Sequence, residues 1–358
     1  MSAVIETSRP AGPFSSFREA GPRPDSDRPA VLIQPDQVSR LVATAARAPS
    51  VHNTQPWRFL AREYAIELHA DASRRLHADR GGREMLISCG GALFGLRLAI
   101  RELGHLPVVD LLPETRQPSL LARVSLGEPV PVTAEERQML AAVPHRHTHR
   151  GPFSPGPLPS GLMARLQQDA LAEGAALAMV NRTGTYQWLA SLAEAARRHD
   201  VHDPMARAET RRWSRAAGSA ARDGVPAVAF PAESALPPGR LPQRDYDLGR
   251  GIGQLDGGGE PALATAVLIT VSDRPADWLR AGQAMHRMLI RAATAWVFAS
   301  LHTQPLELPA VRSLIRSRLG LPGEAQVLLQ FGLAGSTQPT ARRPVGELLI
   351  RPRKRSRS

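Results

Sequence analysis

Two stretches of this chain read as one structural unit written twice, and that limits the folds open to it. Glu84 to Leu103 places Leu93, Leu96, Ile100 and Leu103 on one helical face; Asp277 to Phe298 does the same with Met285, Met288, Leu289, Ala292 and Trp296. Both helices open on small residues, Cys89-Gly90-Gly91-Ala92-Leu93 in one and Ala281-Gly282-Gln283-Ala284-Met285 in the other. Each is followed some way on by a short apolar strand, Leu120–Leu126 and Val327–Phe331. The period far exceeds the roughly 20–50 residues of solenoid repeats, so the pattern is a single duplication and not an array.

The remaining elements fit two such halves. Asp36 to Arg47 is expected to be a helix with Pro35 in its first turn, since Val38, Leu41, Val42 and Ala45 recur at helical spacing. Trp57 to Leu68 alternates as strand, turn and strand, and Val108 to Leu112 follows the first long helix after Gly104. The second half offers a helix at Leu162–Leu171, a strand at Ala175–Val180, a helix at Tyr186–Arg198 and a β-branched strand at Thr265–Val271. The expected domains are a disordered proline-rich leader over 1–30, a first repeat over 31–140, a second over 141–350 and a basic tail over 351–358. Within the second repeat, Arg222 to Pro261 holds six prolines and eight glycines without a sustained period. A connection that long is a surface loop or a lid over a site.

Composition removes several classes of function. At 42% hydrophobic and 22% charged residues, the 358-residue chain has a globular balance, and no apolar run nears the roughly 20 residues that span a bilayer. Residues 1–30 lack the apolar core of a secretory signal, so a cytoplasmic location is expected. The single Cys89 can form neither an internal disulfide nor a multi-thiolate zinc site, and at the head of an apolar helix it reads as a small core residue. The net charge of +12 comes almost wholly from arginine, and five basic residues sit in the last eight. With aromatic residues at only 4%, base stacking has little support, and nucleic acid is an unlikely partner. Gly249-Arg250-Gly251-Ile252-Gly253 neither follows a strand nor opens a helix, which argues against a dinucleotide fingerprint.

Two short stretches carry chemistry. Ala48-Pro49-Ser50-Val51-His52-Asn53-Thr54-Gln55-Pro56-Trp57 is a proline-bounded loop rich in donors and acceptors, suited either to a structural turn or to hydrogen-bonding a polar heterocycle. Arg146-His147-Thr148-His149-Arg150 sets two arginines about a hydroxyl, an arrangement that can cradle phosphate. The histidines at 145, 147 and 149 also invite a metal, but no acidic or cysteine partner lies near, and no metal is expected.

The first stretch resembles the APSxxNxQPW loop of FMN-dependent nitroreductases, and with AGQAMHRMLIRAATAWVFASLHTQPLEL the chain is similar to the Acg-like branch over about residues 36–350. The resemblance implies an α+β, nitroreductase-like fold of two fused repeats, each a mostly antiparallel sheet flanked by helices. It implies FMN as cofactor, with Pro49, Ser50, Val51 and Asn53 as the loop residues that bind it. Arg146, His147, Thr148 and Arg150 match the family's phosphate and flavin motif in order, with Thr148 replacing serine. Arg146 and Thr148 would then hold phosphate, and Arg150 would face the flavin N1/C2 carbonyl. Arg342 and Arg343 match a further basic position. Pro305, Glu307 and Leu308 resemble the turn whose backbone N–H meets flavin N5, although Leu308 replaces the usual glycine.

In the ordinary family two identical subunits complete each site. Here the loop occurs only in the first repeat and the cradle only in the second. That asymmetry implies one chain folded as a pseudo-dimer with one FMN site, as a monomer or a weak homodimer. The activity implied is NAD(P)H-dependent reduction of nitroaromatics or quinones, and the alternative is FMN storage beneath a lid. Hydride transfer needs no protein acid or base, so no catalytic residue is named.

Overall fold

The computed structural model describes residues 31–151, 153–230, 241–252, 263–335 and 340–351. The expected leader (1–30), nearly all of the basic tail, and segments 231–240 and 253–261 of the glycine- and proline-rich stretch lie outside the described residues.

Chain order begins with helix α1 (Pro35–Ala45), strands β1 (Trp57–Ala61) and β2 (Ala65–Ala70), helix α2 (Arg83–Glu102), strands β3 (His105–Leu111) and β4 (Leu120–Pro129) and helix α3 (Ala134–Ala142). Then come α4 (Leu162–Ala172), β5 (Ala176–Met179), α5 (Thr183–His202), α6 (Pro204–Trp213) and the short pair β6 (Ser214–Arg215) and β7 (Val225–Pro226). The chain closes with β8 (Ala264–Thr270), α7 (Pro275–Ala293), β9 (Val297–His302), α8 (Gln304–Glu307), α9 (Pro309–Leu319), β10 (Glu324–Leu333) and α10 (Val345–Leu348).

The duplication is visible in the topology. One sheet runs β1-β2-β4-β3 and the other β5-β8-β10-β9, all pairs antiparallel, so the same order is built twice. The sequence offset that carries Gly90 onto Gly282 also carries Arg83, the first residue of α2, onto Pro275, the first of α7, and His105 of β3 onto Val297 of β9. Helices α2 and α7 cross at these two glycines. A Cβ on Gly282 would lie 1.9 Å from the Ile87 carbonyl oxygen, and one on Gly90 would lie 2.2 Å from that of Leu279. Only glycine permits this approach, and it brings the two halves into one body.

Each half keeps its own apolar core. Val42, Trp57, Phe59, Leu68, Leu93 and Leu96 are buried in the first, and Leu166, Leu268, Met288, Leu329 and Phe331 in the second. Cys89 is fully buried, and burial raises its thiol pKa, in keeping with a core role. The end of the chain crosses back to the first half: the Ile350 N–H donates to the Phe59 carbonyl at 2.7 Å, and Leu349 bridges Phe59. No described helix is long and apolar enough to cross a membrane.

The expected second long helix ends early. It stops at Ala293, Trp296 takes a left-handed φ of 55°, and Val297–His302 is strand β9. Trp296 therefore does not join the buried helical face; it is 52% exposed. A tryptophan one turn beyond Ala292 continues the helical period by coincidence, and carries the expected helix over Val297 and Phe298, the first two residues of the strand.

Candidate functional site

The loop between α1 and β1 is rigidly shaped. Val51–Asn53 form a single 3-10 turn, and His52, Asn53 and Gln55 all take positive φ (53°, 55° and 51°), costly for residues other than glycine. Ser50 Oγ accepts the Gln55 N–H at 2.9 Å, which closes the turn. Asn53 Nδ2 donates to the carbonyls of Gly224 and Ala341, each at 3.0 Å. Gln55 takes the Arg343 N–H on Oε1 at 2.8 Å and donates from Nε2 to Arg222 at 2.8 Å. These amides therefore stitch three distant segments together.

On the other side of the loop lies a cavity between the two halves. Its walls include Pro49, Ser50, Val51 and His52 from the loop, Glu84 and Ser88 from α2, and Met285 from α7. Thr148 and Arg150 line it from the second half, with Pro305 from the turn after β9. The cavity has a volume of about 60 Å³. Pro242, Gln243, Arg244 and Tyr246 form one wall. That segment is anchored: His302 Nδ1 meets the Pro242 carbonyl at 3.0 Å, and Arg244 pairs with Asp200 at 2.9 Å and with Glu307. Tyr246 meets the His52 ring edge-on at 5.5 Å, and the Arg150 guanidinium sits 5.5 Å from its ring centre.

Beside the cavity is a cluster of cations. Arg146 is 4% exposed; its Nη2 donates to the Arg47 carbonyl, and its Nε is without a partner among the described residues. Arg342 reaches the same place from the C-terminal segment, donating to the carbonyls of Ala46 (2.9 Å), Ala48 (3.1 Å) and Arg47 (3.3 Å). These are the carbonyls that end α1, where a partial negative charge favours cations. Partial charge does not balance the group. Burial pushes the Arg146 guanidinium down to about 9, with Arg47 and Arg150 pushing the same way. Burial, then Arg146, Arg47 and Arg150, push Arg342 well below its ordinary value. No carboxylate pairs with Arg146 or Arg342 among the described residues. A guanidinium holds its proton under ordinary conditions, so an anion between them relieves the cluster. An FMN phosphate fits that demand.

The structure thus gathers Pro49, Ser50, Val51, Thr148, Arg150 and Pro305 around one cavity, with Arg146 and Arg342 beside it. Other expected residues turn elsewhere. The Asn53 amide nitrogen is spent on Gly224 and Ala341. His147 packs on Phe298 with ring centres 4.3 Å apart, and burial lowers its pKa to about 4. Glu307 pairs with Arg244, Leu308 is exposed, and Arg343 pairs with Glu347 at 3.3 Å. The structure adds His52, Glu84 and Tyr246 to the walls and Arg47 to the cluster. Arg47 and His52 stand in or next to the loop motif; Glu84 and Tyr246 carry no signal in sequence.

The duplicated fold has a second place of this kind. Carried by the same offset, Glu84 and Ser88 fall on Ala276 and Arg280, and Leu301 and Thr303 fall on Val109 and Leu111. All four of these counterparts line an open groove of about 1220 Å³. Four of its arginines are paired: Arg97 with Glu173, Arg101 with Glu136 at 2.6 Å, Arg280 with Asp277 at 3.2 Å, and Arg287 with Asp169 and Glu173 at 2.8 and 2.9 Å.

Comparison with known proteins places the chain. No family model matches it. It is 30% identical over 359 residues, covering 98% of this chain and 97% of the relative, to the Mycobacterium tuberculosis H37Rv protein named "Putative NAD(P)H nitroreductase Rv3131". It is 28% identical over 326 residues to "Putative NAD(P)H nitroreductase acg" of the same strain, covering 89% of this chain and 97% of that one. Among solved structures it is similar to a nitroreductase with bound FMN from Desulfitobacterium hafniense DCB-2, at 12% identity and a TM-score of 0.36, covering 57% of this chain and 94% of that one. The chain belongs to the NAD(P)H nitroreductase family. Within it, the chain is a member of the Acg-like group, as the loop motif and the second long helix implied.

Proposed function

We propose that the chain binds one FMN in the cavity between its halves and uses NAD(P)H to reduce small nitroaromatics or quinones. The observation that carries this reading is the buried pair Arg146 and Arg342, without a carboxylate partner among the described residues, beside a cavity walled by the Pro49–His52 loop. Arg146, Thr148 and Arg342 would hold the phosphate, and Arg343, one residue on, would add to the field. Arg150 would face the flavin ring, and Pro305 would set the turn next to it. FMN, when bound, supplies the hydride chemistry.

The protein's own groups bind, orient and shield. Both repeats contribute walls, so the single chain completes the site without a partner subunit, and the reading includes a monomeric pseudo-dimer in the cytoplasm. The 241–252 wall favours a second reading. With Arg244 anchored to Asp200 and Glu307, and Tyr246 set against His52, this segment can act as a lid that holds FMN and bars the acceptor. Anaerobic addition of NADPH to the FMN-loaded protein separates the two. Bleaching of the flavin band supports the enzyme, and a yellow protein that does not bleach supports storage. A protein that cannot be loaded with FMN contradicts both.

A further inference from the structure

Glu84 sits in the first turn of α2, 4% exposed, and is one of the residues lining the cavity. Among the described residues its Oε2 has no hydrogen-bond partner, and Oε1 pairs only with Arg83 Nη2, at a long 3.5 Å. A buried polar atom without a partner is costly, and one that faces a ligand cavity is matched by the ligand. Glu84 does not serve the helix end, because Asp79 already accepts the N–H groups of Glu84 and Met85, at 3.1 and 2.8 Å. Nor does the fold require an acid here: the counterpart in the other half is Ala276, at the head of α7.

We propose that Glu84 is a catalytic residue, donating the proton that an acceptor bound in this cavity takes up along with a hydride. This rests on the oxidoreductase reading above. Glu84 would give its proton to the quinone oxygen that gains negative charge as the acceptor takes up a hydride, for which NAD(P)H would be the ultimate donor. One O–H bond breaks on Glu84 and one forms on the acceptor. The two electrons arrive with the hydride, the quinone becomes hydroquinone, and the Glu84 carboxylate recovers a proton from water.

The charged groups around it keep Glu84 ready. Burial raises its carboxyl well above the ordinary carboxylate range; Glu307 and Asp79 add to the rise, while Arg83 and Arg244 oppose it. Arg244 is itself engaged by Glu307 and Asp200, and Arg83 by the carbonyls of Gln326 and Leu306 at 2.8 and 3.3 Å. Burial of this kind favours the neutral form of a carboxylic acid, which is the form able to donate.

The test compares wild type with Glu84→Gln in two measurements. Infrared spectra of the protein as purified, at pH 7, should show a protonated-carboxyl C=O band, sensitive to D2O, that is missing from Glu84→Gln. Stopped-flow reoxidation of the reduced, FMN-loaded protein by 1,4-benzoquinone should slow roughly 100-fold or more in the variant. The wild-type rate should fall as pH rises through the Glu84 pKa, and that dependence should vanish in Glu84→Gln. The same infrared band in both proteins, or equal reoxidation rates at every pH, overturns the proposal. If the protein takes up no FMN, the oxidoreductase reading fails by itself, while the infrared comparison still decides whether Glu84 holds a proton.

Discussion

The cavity behind Pro49–His52 and the groove lined by Ala276 and Arg280 hold equivalent places in the two halves, yet they treat charge in opposite ways. In the groove each of Arg97, Arg101 and Arg287 meets a carboxylate from Glu136, Asp169 or Glu173. Beside the cavity, Arg146 and Arg342 lie buried together on helix-end carbonyls. Arg97, Arg101 and Arg287 are held in an ion-paired seam, while Arg146 and Arg342 keep a charge deficit that an anionic cofactor would meet. Neutralised arginines hold a fold together; uncompensated ones select a ligand.

The largest effect should come where the halves meet. Gly282→Ala sets a Cβ 1.9 Å from one backbone atom and 2.8 Å from another, on rigid helix, so it should destabilise by about 3 kcal/mol or more. Thermal unfolding should shift to a lower midpoint for both halves together, whereas Gly81→Ala, with nothing within 4 Å of the new Cβ, should leave it in place. An unchanged midpoint for Gly282→Ala would break the crossing that relates the two regions.

Arg146→Ala should weaken FMN binding roughly 10- to 100-fold, the range of a lost charge-assisted contact of about 1.5–3 kcal/mol. It should leave the FMN-free protein at least as stable, since it removes a buried like charge. Arg101→Ala on the groove side should do the reverse, lowering the unfolding midpoint and leaving FMN affinity alone. Equilibrium dialysis and calorimetry of the two variants would show whether the regions divide in this way.

Acid should be felt first on the cavity side. His147 and His286 are pushed down to about 4 and about 3 by burial, and His52 also well below 6.5. The unfolded chain takes up protons at these histidines from 6.5 downward while the folded chain resists. Their contribution to stability is therefore whole above 6.5 and declines as pH falls toward 4. On the groove side Arg165 and Arg101 hold Glu135 and Glu136 below the usual 4.5, so that seam loses stability only at lower pH. Urea midpoints between pH 7 and 5 should fall for wild type and fall less for His147→Gln; equal slopes would remove the histidine account.

The smallest effect belongs to the cavity wall. Tyr246→Ala removes the ring that Arg150 and His52 face, a loss of about 0.5–1 kcal/mol. FMN should dissociate roughly two- to five-fold faster in a rapid-mixing experiment. An unchanged rate would mean that residues 241–252 do not restrain the cofactor.

The strands and helices that pack by simple periodicity were legible in the sequence, and so was their duplication. Val38, Leu41, Val42 and Ala45 are all buried as their spacing requires, whereas the crossing of α2 and α7 at Gly90 and Gly282, well inside each helix, shows only in the fold. β9 was not legible, because Trp296 extends a helical period into a strand. Around the candidate site, Arg146, Thr148 and Arg150 were legible as a group because they lie in one short motif, whereas Arg342, distant in sequence, was legible only through the family resemblance. Glu84 could not, since a glutamate in a helix's first turn is ordinary, and only the fold shows that Asp79 has taken the capping role. Asn53 was legible as important but not in its task, because its partners Gly224 and Ala341 are distant in sequence and contribute backbone oxygens.

The account stands most directly on stoichiometry. Titrating the flavin-free protein with FMN, while following both bound flavin and protein concentration, should saturate at one FMN per chain, with Arg146→Ala weakening that one event. Saturation at two per chain, or binding that Arg146→Ala leaves untouched, would contradict the claim that one of the two equivalent places takes a cofactor while Arg97, Arg101 and Arg287 of the other are taken up by ion pairs.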